Sequence, residues 1–388
     1  MQKKILIISP YFPYPPFDGG KNRIFNLIKH LSAKNDIYLL SYIEPGKSFS
    51  DINEMGKMCK KVYAVERDES KMILGADIPR SISFCYTPEM VEMLGRVITE
   101  VNPDIVQIEF LVMTRYLHHL KGLPAIYTEH DISNINFEQS FHDRDLPEHL
   151  RFIEWHRLVK YEKKILGMFD AIIVLTERDQ KILKEFSPAS KSTLIPTGVD
   201  TGYYSFRSED IGDDNLVFVG NYRHYPNYDA FKYFVCEIFP EIVKKRENSK
   251  FFAVGSGVIG DMKKFASENV IITGEIEDIR PFLKKAAVFV APVRLGGGIK
   301  GKILEAMASG VPVVATKEAG SGIKCLNGRD ILISNNNEEF INNTIDLLGN
   351  GQKRKNISRN ARSLVEKNYD WKNIADELDL FYDRFVQT

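Results

Sequence analysis

Neither sign of charge dominates this chain, in which 52 Lys and Arg face 52 Asp and Glu among 388 residues. The balance is also local: 25 cations meet 26 anions through Ser190, and 27 meet 26 beyond it. A protein that grips polynucleotides by neutralising phosphates carries a basic surplus somewhere. A generic nucleic-acid role is therefore disfavoured. Cysteine is scarce, and Cys59, Cys85, Cys236 and Cys325 lie far apart with no C-x-x-C spacing. That excludes a disulfide framework or a zinc knuckle and reads as free thiols in a reducing compartment. Long apolar runs are missing as well. The longest, Ala286 to Val293, contains Pro292 and falls far short of the ~20 residues that span a bilayer. At the N-terminus only Ile5-Leu6-Ile7-Ile8 separates Lys4 from Ser9-Pro10, too little for the ~7–15 apolar residues of a secretory signal. The expectation is a cytoplasmic protein, or one peripheral to a membrane.

What is present is alternation. Lys4–Ser9, Ile37–Ile43, Val62–Val65, Ile105–Phe110, Ala125–Thr128, Ala171–Leu175 and Thr193–Ile195 are β-branched, apolar runs. Gly20–Ala33, Pro88–Val101 and Leu146–Met168 carry apolar residues at helical spacing between them. Continuous apolar strands separated by helices predict a parallel sheet covered on both faces. The pattern restarts with Leu216–Val219, Phe251–Val254, Val270–Thr273, Val288–Ala291, Val313–Ala315 and Ile331–Ile333. The turn-rich segment Pro196–Gly202 separates the two series. Two doubly wound α/β domains follow, residues 1–198 and 199–368. Ligands of such sheets bind beyond the carboxyl ends of strands, so a cleft between facing domains is expected.

Three glycine clusters follow predicted strands. Gly19-Gly20, preceded by Asp18, stands ahead of a helix expected from Lys21 and could let a backbone approach an anion. Gly255-Ser256-Gly257-Val258-Ile259-Gly260 spells G-x-G-x-x-G after a strand, ahead of a helix expected at Asp261–Ala266, with Glu275 twenty residues beyond Gly255. That is the fingerprint of a nicotinamide-nucleotide site, although one strand already precedes it within the domain. It leaves an NAD(P)-dependent oxidoreductase as an alternative. The third cluster is Arg294-Leu295-Gly296-Gly297-Gly298-Ile299-Lys300-Gly301-Lys302-Ile303-Leu304-Glu305. Its G-x-x-x-x-G-K lacks the Ser or Thr that would hold magnesium in a P-loop, because Ile303 stands there. On its own chemistry it is a diphosphate site: glycine amides at a helix N-terminus, the Arg294 fork and the Lys302 point charge. Glu305 lies three positions after Lys302 on the same helix face, placed to accept from ribose hydroxyls.

Taken together, these segments resemble the retaining GT-B glycosyltransferases of family 4 (glycosyl transferases group 1). Pro15–Arg23 is similar to that family's opening loop, and Tyr127-Thr128-Glu129-His130-Asp131 to its strand-end histidine. Ile195–Asp200 resembles the linker, with Thr197 where Asn is usual, and Phe218–Asn221 the opening of the second domain. Thr273–Arg280 is similar to the turn against the nucleotide base, which brings in Ile276. Tyr369-Asp370-Trp371 resembles the start of a terminal segment, 369–388, that crosses back to the first domain. The resemblance implies metal-independent transfer from a UDP- or GDP-sugar to a carbohydrate, glycolipid or other hydroxyl acceptor, with no further cofactor. His130, Arg294 and Lys302 would be catalytic. Gly19, Gly20, Gly255, Ile276, Gly296, Gly297, Gly298 and Glu305 would hold the donor. Two departures stand out. Gly297 occupies the place of the first of two glutamates common in the family, which motivates a catalytically silent binding subunit as a second alternative. Asn221-Tyr222-Arg223-His224-Tyr225-Pro226-Asn227 resembles a subgroup whose turn reads R-P-N, leaving phosphate charge to Arg294 and Lys302.

Other features read blandly. Asp143-Arg144-Asp145 spells D-x-D but does not follow a β-run, and a solvated turn accounts for it. His118-His119 suits a helix end within Arg115–Lys121. Arg151, Trp155, Arg157, Lys160, Lys163 and Lys164 mix with apolar residues as on a membrane-surface helix, but Glu154 and Glu162 interrupt them. The run Tyr11-Phe12-Pro13-Tyr14-Pro15-Pro16 fits an acceptor-facing lip or a rigid loop equally.

Overall fold

The computed structural model describes residues 2–44, 49–75, 77–130, 132, 147–208 and 211–386. Contacts divide the chain into two units, Met1–Pro196 with Ile374–Thr388, and Thr197–Asn373. The D-x-D at 143–145 and Asp131 lie outside the described residues.

The first unit carries β1 (Lys4–Ser9), β2 (Asp36–Ile43), β3 (Lys61–Glu66), β4 (Ile105–Glu109), β5 (Ala125–Glu129), β6 (Ala171–Val174) and β7 (Ser192–Leu194). They form one sheet in the order β3-β2-β1-β4-β5-β6-β7, parallel throughout. The second unit carries β8 (Asn215–Val219), β9 (Lys250–Val254), β10 (Val270–Gly274), β11 (Val288–Ala291), β12 (Val313–Thr316) and β13 (Leu332–Ser334). Its order is β10-β9-β8-β11-β12-β13, again parallel. The central strands are buried along nearly their whole length because helices cover both faces, and this is why they read as unbroken apolar runs.

The helices follow local rules. Pro88–Val101 starts where the Thr87 side chain accepts from the Met90 amide, with Pro88 at a position that needs no N–H donor, and it stops at Asn102 in the left-handed region. Met90, Leu94, Val97 and Val101 form its buried stripe. The long helix expected over 146–168 spans Glu148–Leu166. Two expectations are corrected. The helix after Asp18 begins at Gly19 rather than Lys21, since the Asp18 carboxylate accepts from the Lys21 amide and makes both glycines its first turn. The helix expected at Asp261–Ala266 is only a 3-10 turn, Met262–Phe265. The histidine pair does end a helix, here a nine-residue 3-10 run, Leu111–His119.

The terminal segment is tied into the first unit by polar contacts. The Lys3 ammonium, almost wholly buried, meets Asp379 at 2.8 Å and Asp383 at 2.7 Å. Asp379 also accepts from the Asn35 amide at 2.7 Å. Two charged partners keep the lysine protonated in spite of burial, and its pKa is raised. Asp379→Ala leaves Lys3 with Asp383 alone and the Asn35 amide with only its 3.4 Å bond to the Leu31 carbonyl. It should lower the stability of the first unit by about 1–3 kcal/mol, read as an earlier denaturant midpoint with the second unit's transition unmoved.

Candidate functional site

In an open parallel sheet the crevice for a ligand forms where strand order reverses, because the chain leaves the two central strands in opposite directions. The strand orders put that point between β1 and β4 in the first unit and between β8 and β11 in the second. Most of the predicted residues follow strands at or beside these two places; Ile276, after the edge strand β10, does not.

In the second unit the loop after β11 leads into the helix Gly301–Ala308. Gly296 and Gly298 have φ of +86° and +71°, a left-handed backbone that favours glycine. The Lys300 ammonium donates to the carbonyl oxygens of Gly296 at 3.0 Å, Gly298 at 3.4 Å and Gly297. One cation thus gathers three carbonyls and shapes the loop before any ligand arrives. The sequence reading overlooked this lysine.

Lys302 and Glu305 project from the first turns of that helix, on one face as their spacing requires. The Lys302 ammonium donates to the Asn227 side-chain oxygen at 2.5 Å and sits 4.6 Å above the Phe218 ring. Desolvation by the surrounding protein, reinforced by Lys300 and opposed by Glu305, pushes its pKa down to about 7. Burial raises the Glu305 carboxyl, while Lys302 and the Tyr204 phenol pull against it. Arg362 anchors the segment that brings Tyr204 there, donating to the carbonyls of Thr201, Tyr204 and Ala308. Asn227 is held in turn by its own donation to the Asn221 carbonyl at 2.8 Å. The turn that resembled R-P-N therefore works through Asn227, while Arg223 is exposed.

Arg294 is placed differently from the expectation of an open fork. Its guanidinium holds Asp229 through two bonds of 2.8 and 3.2 Å and lies 4.1 Å above the Tyr233 ring. An anion approaching Arg294 competes with that carboxylate, which nothing in the local spacing revealed.

In the first unit, His130 follows β5 and its Nε2 lies 2.7 Å from the Glu109 carboxylate. The Phe110 ring stacks on the imidazole at 3.7 Å and 7°, with Phe110 itself at φ +66°. A side chain at Gly20 would place its first carbon 2.5 Å from the tip of that ring. Gly20 is therefore needed for close packing against Phe110; Gly19 meets nothing comparable. Burial opposes ionisation of Glu109, but His130 and the buried Arg23 outweigh it and hold the carboxyl below its ordinary range. Glu109 was not singled out as a site residue, although Gln107 and Glu109 are polar positions on one face of an otherwise apolar strand.

The G-x-G-x-x-G cluster serves packing. Gly255 has φ +129°, and an added first side-chain carbon would lie 2.1 Å from the Gly220 carbonyl oxygen; at Gly257 it would lie 2.5 Å from the Asn221 side chain. Packing against the turn after β8 accounts for both glycines, while Gly260 meets nothing within 4 Å, so the pattern by itself gives no support to the nicotinamide alternative. Ile276, after β10, packs against the second unit's core. Among the described residues no group of His, Cys, Asp and Glu is arranged to hold a metal ion.

Two parallel-sheet α/β units with these strand-end sites define the GT-B class of glycosyltransferase. A family model described as Glycosyltransferase Family 4 matches residues 17–203, and one described as Glycosyl transferases group 1 matches residues 213–350. The chain belongs to this glycosyltransferase family. It is 23% identical to an uncharacterized 44.6 kDa protein in the cps region of Klebsiella pneumoniae, over 97% of this chain and 98% of that one. It is 21% identical to an uncharacterized glycosyltransferase of Methanocaldococcus jannaschii, over the full length of both. Among solved structures it resembles Anabaena HepE in complex with UDP, with a TM-score of 0.69, 14% identity and coverage of 98% of this chain and 100% of that one.

Gly255→Ala should destabilise the second unit by at least about 2 kcal/mol, combining backbone strain with a backbone clash. Chemical denaturation measures this. A variant of wild-type stability would mean that the glycine is not required by packing.

Proposed function

We propose that the protein transfers a sugar from a nucleoside diphosphate sugar to an acceptor hydroxyl with retention of configuration. The observation that carries this reading is the desolvated Lys302 beside Asn227 and the Gly296–Gly298 loop, at the strand-order reversal of the second unit. Breaking the bond to the diphosphate builds negative charge on the leaving group. A preorganised cation in a low-dielectric setting stabilises such charge most effectively. Lys302 would supply it, joined by Arg294 where phosphate displaces Asp229, and by backbone amides of the loop. Glu305 would accept from the ribose hydroxyls, and Ile276 would flank the base. The first unit would contribute Gly19 and Gly20, at a helix N-terminus, to the diphosphate, and His130 to the transferred sugar. The reading assigns no metal and no separate cofactor. Retention without an assigned carboxylate nucleophile fits front-face attack, in which the leaving phosphate takes the acceptor proton.

UDP is our first choice of nucleotide, because HepE of the same fold is a UDP complex, with GDP as the competitor. We assign the protein to the cytoplasm or to a membrane surface facing it. No helix among the described residues is long and apolar enough to cross a membrane, and the exposed thiol of Cys236 suits a reducing compartment. The acceptor is a carbohydrate, a glycolipid or another hydroxyl compound.

Calorimetry with UDP and GDP tests the site. Lys302→Ala should weaken nucleotide binding about 10- to 100-fold, the worth of one charge-assisted hydrogen bond. Arg294→Ala should cost less, since its fork is already paired. Binding and transfer that survive both substitutions together would show that the site is elsewhere.

A pH dependence follows. With a free-state pKa of about 7, Lys302 is near half-protonated at neutral pH, and a bound diphosphate raises that pKa. The complex then holds more protons than its separated parts, so binding takes up protons and affinity falls as pH rises above 7, by up to tenfold per unit. The slope of binding enthalpy against buffer ionisation enthalpy at pH 7 to 8 should report this uptake, and Lys302→Ala should abolish it.

A further inference from the structure

The hydrogen bonds behind His130 form a chain whose direction can be read atom by atom. It begins at Tyr382 in the terminal helix Trp371–Tyr382. Burial and the nearby Glu109 keep the Tyr382 phenol protonated far above neutrality, so its hydroxyl donates to the Gln107 side-chain oxygen. With that oxygen occupied as an acceptor, the amide nitrogen of Gln107 is turned toward Glu109 and donates to its Oε1. Thr128 donates to the same oxygen at 3.2 Å. Both bonds arrive at one carboxylate oxygen as donors, and the carboxylate is ionised, so its second oxygen, Oε2, can only accept as well. The atom facing Oε2 at 2.7 Å is Nε2 of His130, which must therefore carry a proton. The stacked Phe110 ring fixes the plane of the imidazole, and the Tyr11 ring, edge-on to Phe110 at 5.4 Å, backs it. Arg23 supplies charge from the interior: it is completely buried, donates from one nitrogen to the Pro196 carbonyl, and has no partner for its Nε and other terminal nitrogen among the described residues. Its positive field favours the ionised Glu109.

We infer that Glu109 is the positioning residue of this enzyme: it locks His130 as the Nε2–H tautomer, so that Nδ1 is the ring atom left for a hydroxyl of the transferred sugar, and it accepts from that hydroxyl whenever the imidazole carries this single proton. The inference rests on the nucleotide-sugar reading for the identity of the partner. The tautomer itself does not. A sugar that offers a hydroxyl proton to Nδ1 is accepted, and one that is deoxygenated at that position, or carries only an acceptor there, is discriminated against. Specificity of this kind arises because an unmatched polar atom in a site costs more than a missing contact.

Glu109→Gln is the diagnostic variant. Two donors still converge on the Oε1 side, so the new amide places its oxygen there and turns its NH₂ toward His130. Nε2 becomes the acceptor, and the proton moves to Nδ1. Nitrogen-15 NMR of the histidine side chains, with the His130 signals identified by their loss in His130→Ala, should show protonated Nε2 in the wild type and protonated Nδ1 in Glu109→Gln. Glu109→Asp, which keeps the charge, should retain the wild-type tautomer. In transfer or donor-hydrolysis assays, Glu109→Gln should lower kcat/KM about 10- to 100-fold while affinity for UDP or GDP stays within twofold. That loss should vanish in the His130→Ala background, since Glu109 acts through the histidine. An Nδ1–H tautomer in the wild type overturns the proposal, and so does a Glu109→Gln loss of equal size in His130→Ala. Failure of the wild type to bind either nucleotide would instead remove the functional reading, while the tautomer experiment, done without ligand, still decides the role of Glu109.

Discussion

Everything at the two sites depends on where parallel strand order reverses. A chain that pairs β1 with both β2 and β4, and β8 with both β9 and β11, must send its connections away from the central strands in opposite directions. The carboxyl ends there are left uncovered by crossover helices, and strand-end loops meet across the gap. Gly20 against Phe110 is one such meeting, and Lys302 against Asn227 is the other. The candidate site residues are therefore placed by topology before any particular side chain is chosen.

At both points the charged groups are held in reserve by protein partners. Lys302 is desolvated against an aromatic ring and a side-chain amide, Arg294 is occupied by Asp229, and Lys300 is absorbed into its own loop. A cation whose neighbours only partly compensate its burial gains most when an anion arrives, because the desolvation has already been incurred in folding. The first unit shows the same economy with opposite sign: Glu109 is buried, yet two donors, a histidine and the field of a buried arginine keep it ionised. Cancelled net charge is compatible with phosphate chemistry because a few cations in a desolvated setting suffice.

Much of this was legible in the chain. The expected bounds of β1, β11 and the helix Pro88–Val101 coincide with the observed ones, and the other strands agree to within a residue or two, because buried parallel strands write themselves as unbroken apolar runs between caps and turns. The third glycine cluster announced a loop of left-handed glycines leading into a helix, and the i, i+3 spacing put Lys302 and Glu305 on one face. Reading failed where one motif has two physical causes. G-x-G-x-x-G marks close backbone approach, and here the backbone of Gly220 approaches Gly255 closely enough to account for that glycine. Asp18 promised a helix start, but capping geometry drew Gly19 and Gly20 into the helix itself.

Local periodicity, turn chemistry and glycine placement are short-range properties, so the sequence by itself determined two doubly wound α/β units, their family and the glycine-bearing loops at the strand ends. Which partner each charged group keeps is a long-range matter. Asp229 lies 65 positions from Arg294, Asn227 75 positions from Lys302, Glu109 21 positions from His130, and Tyr382 275 positions from Gln107. No spacing rule spans such separations. Only the folded sheets, by bringing strand ends together and excluding water from them, decided that Arg294 is paired, that burial pushes the Lys302 pKa down to about 7, and that His130 is held by a buried carboxylate.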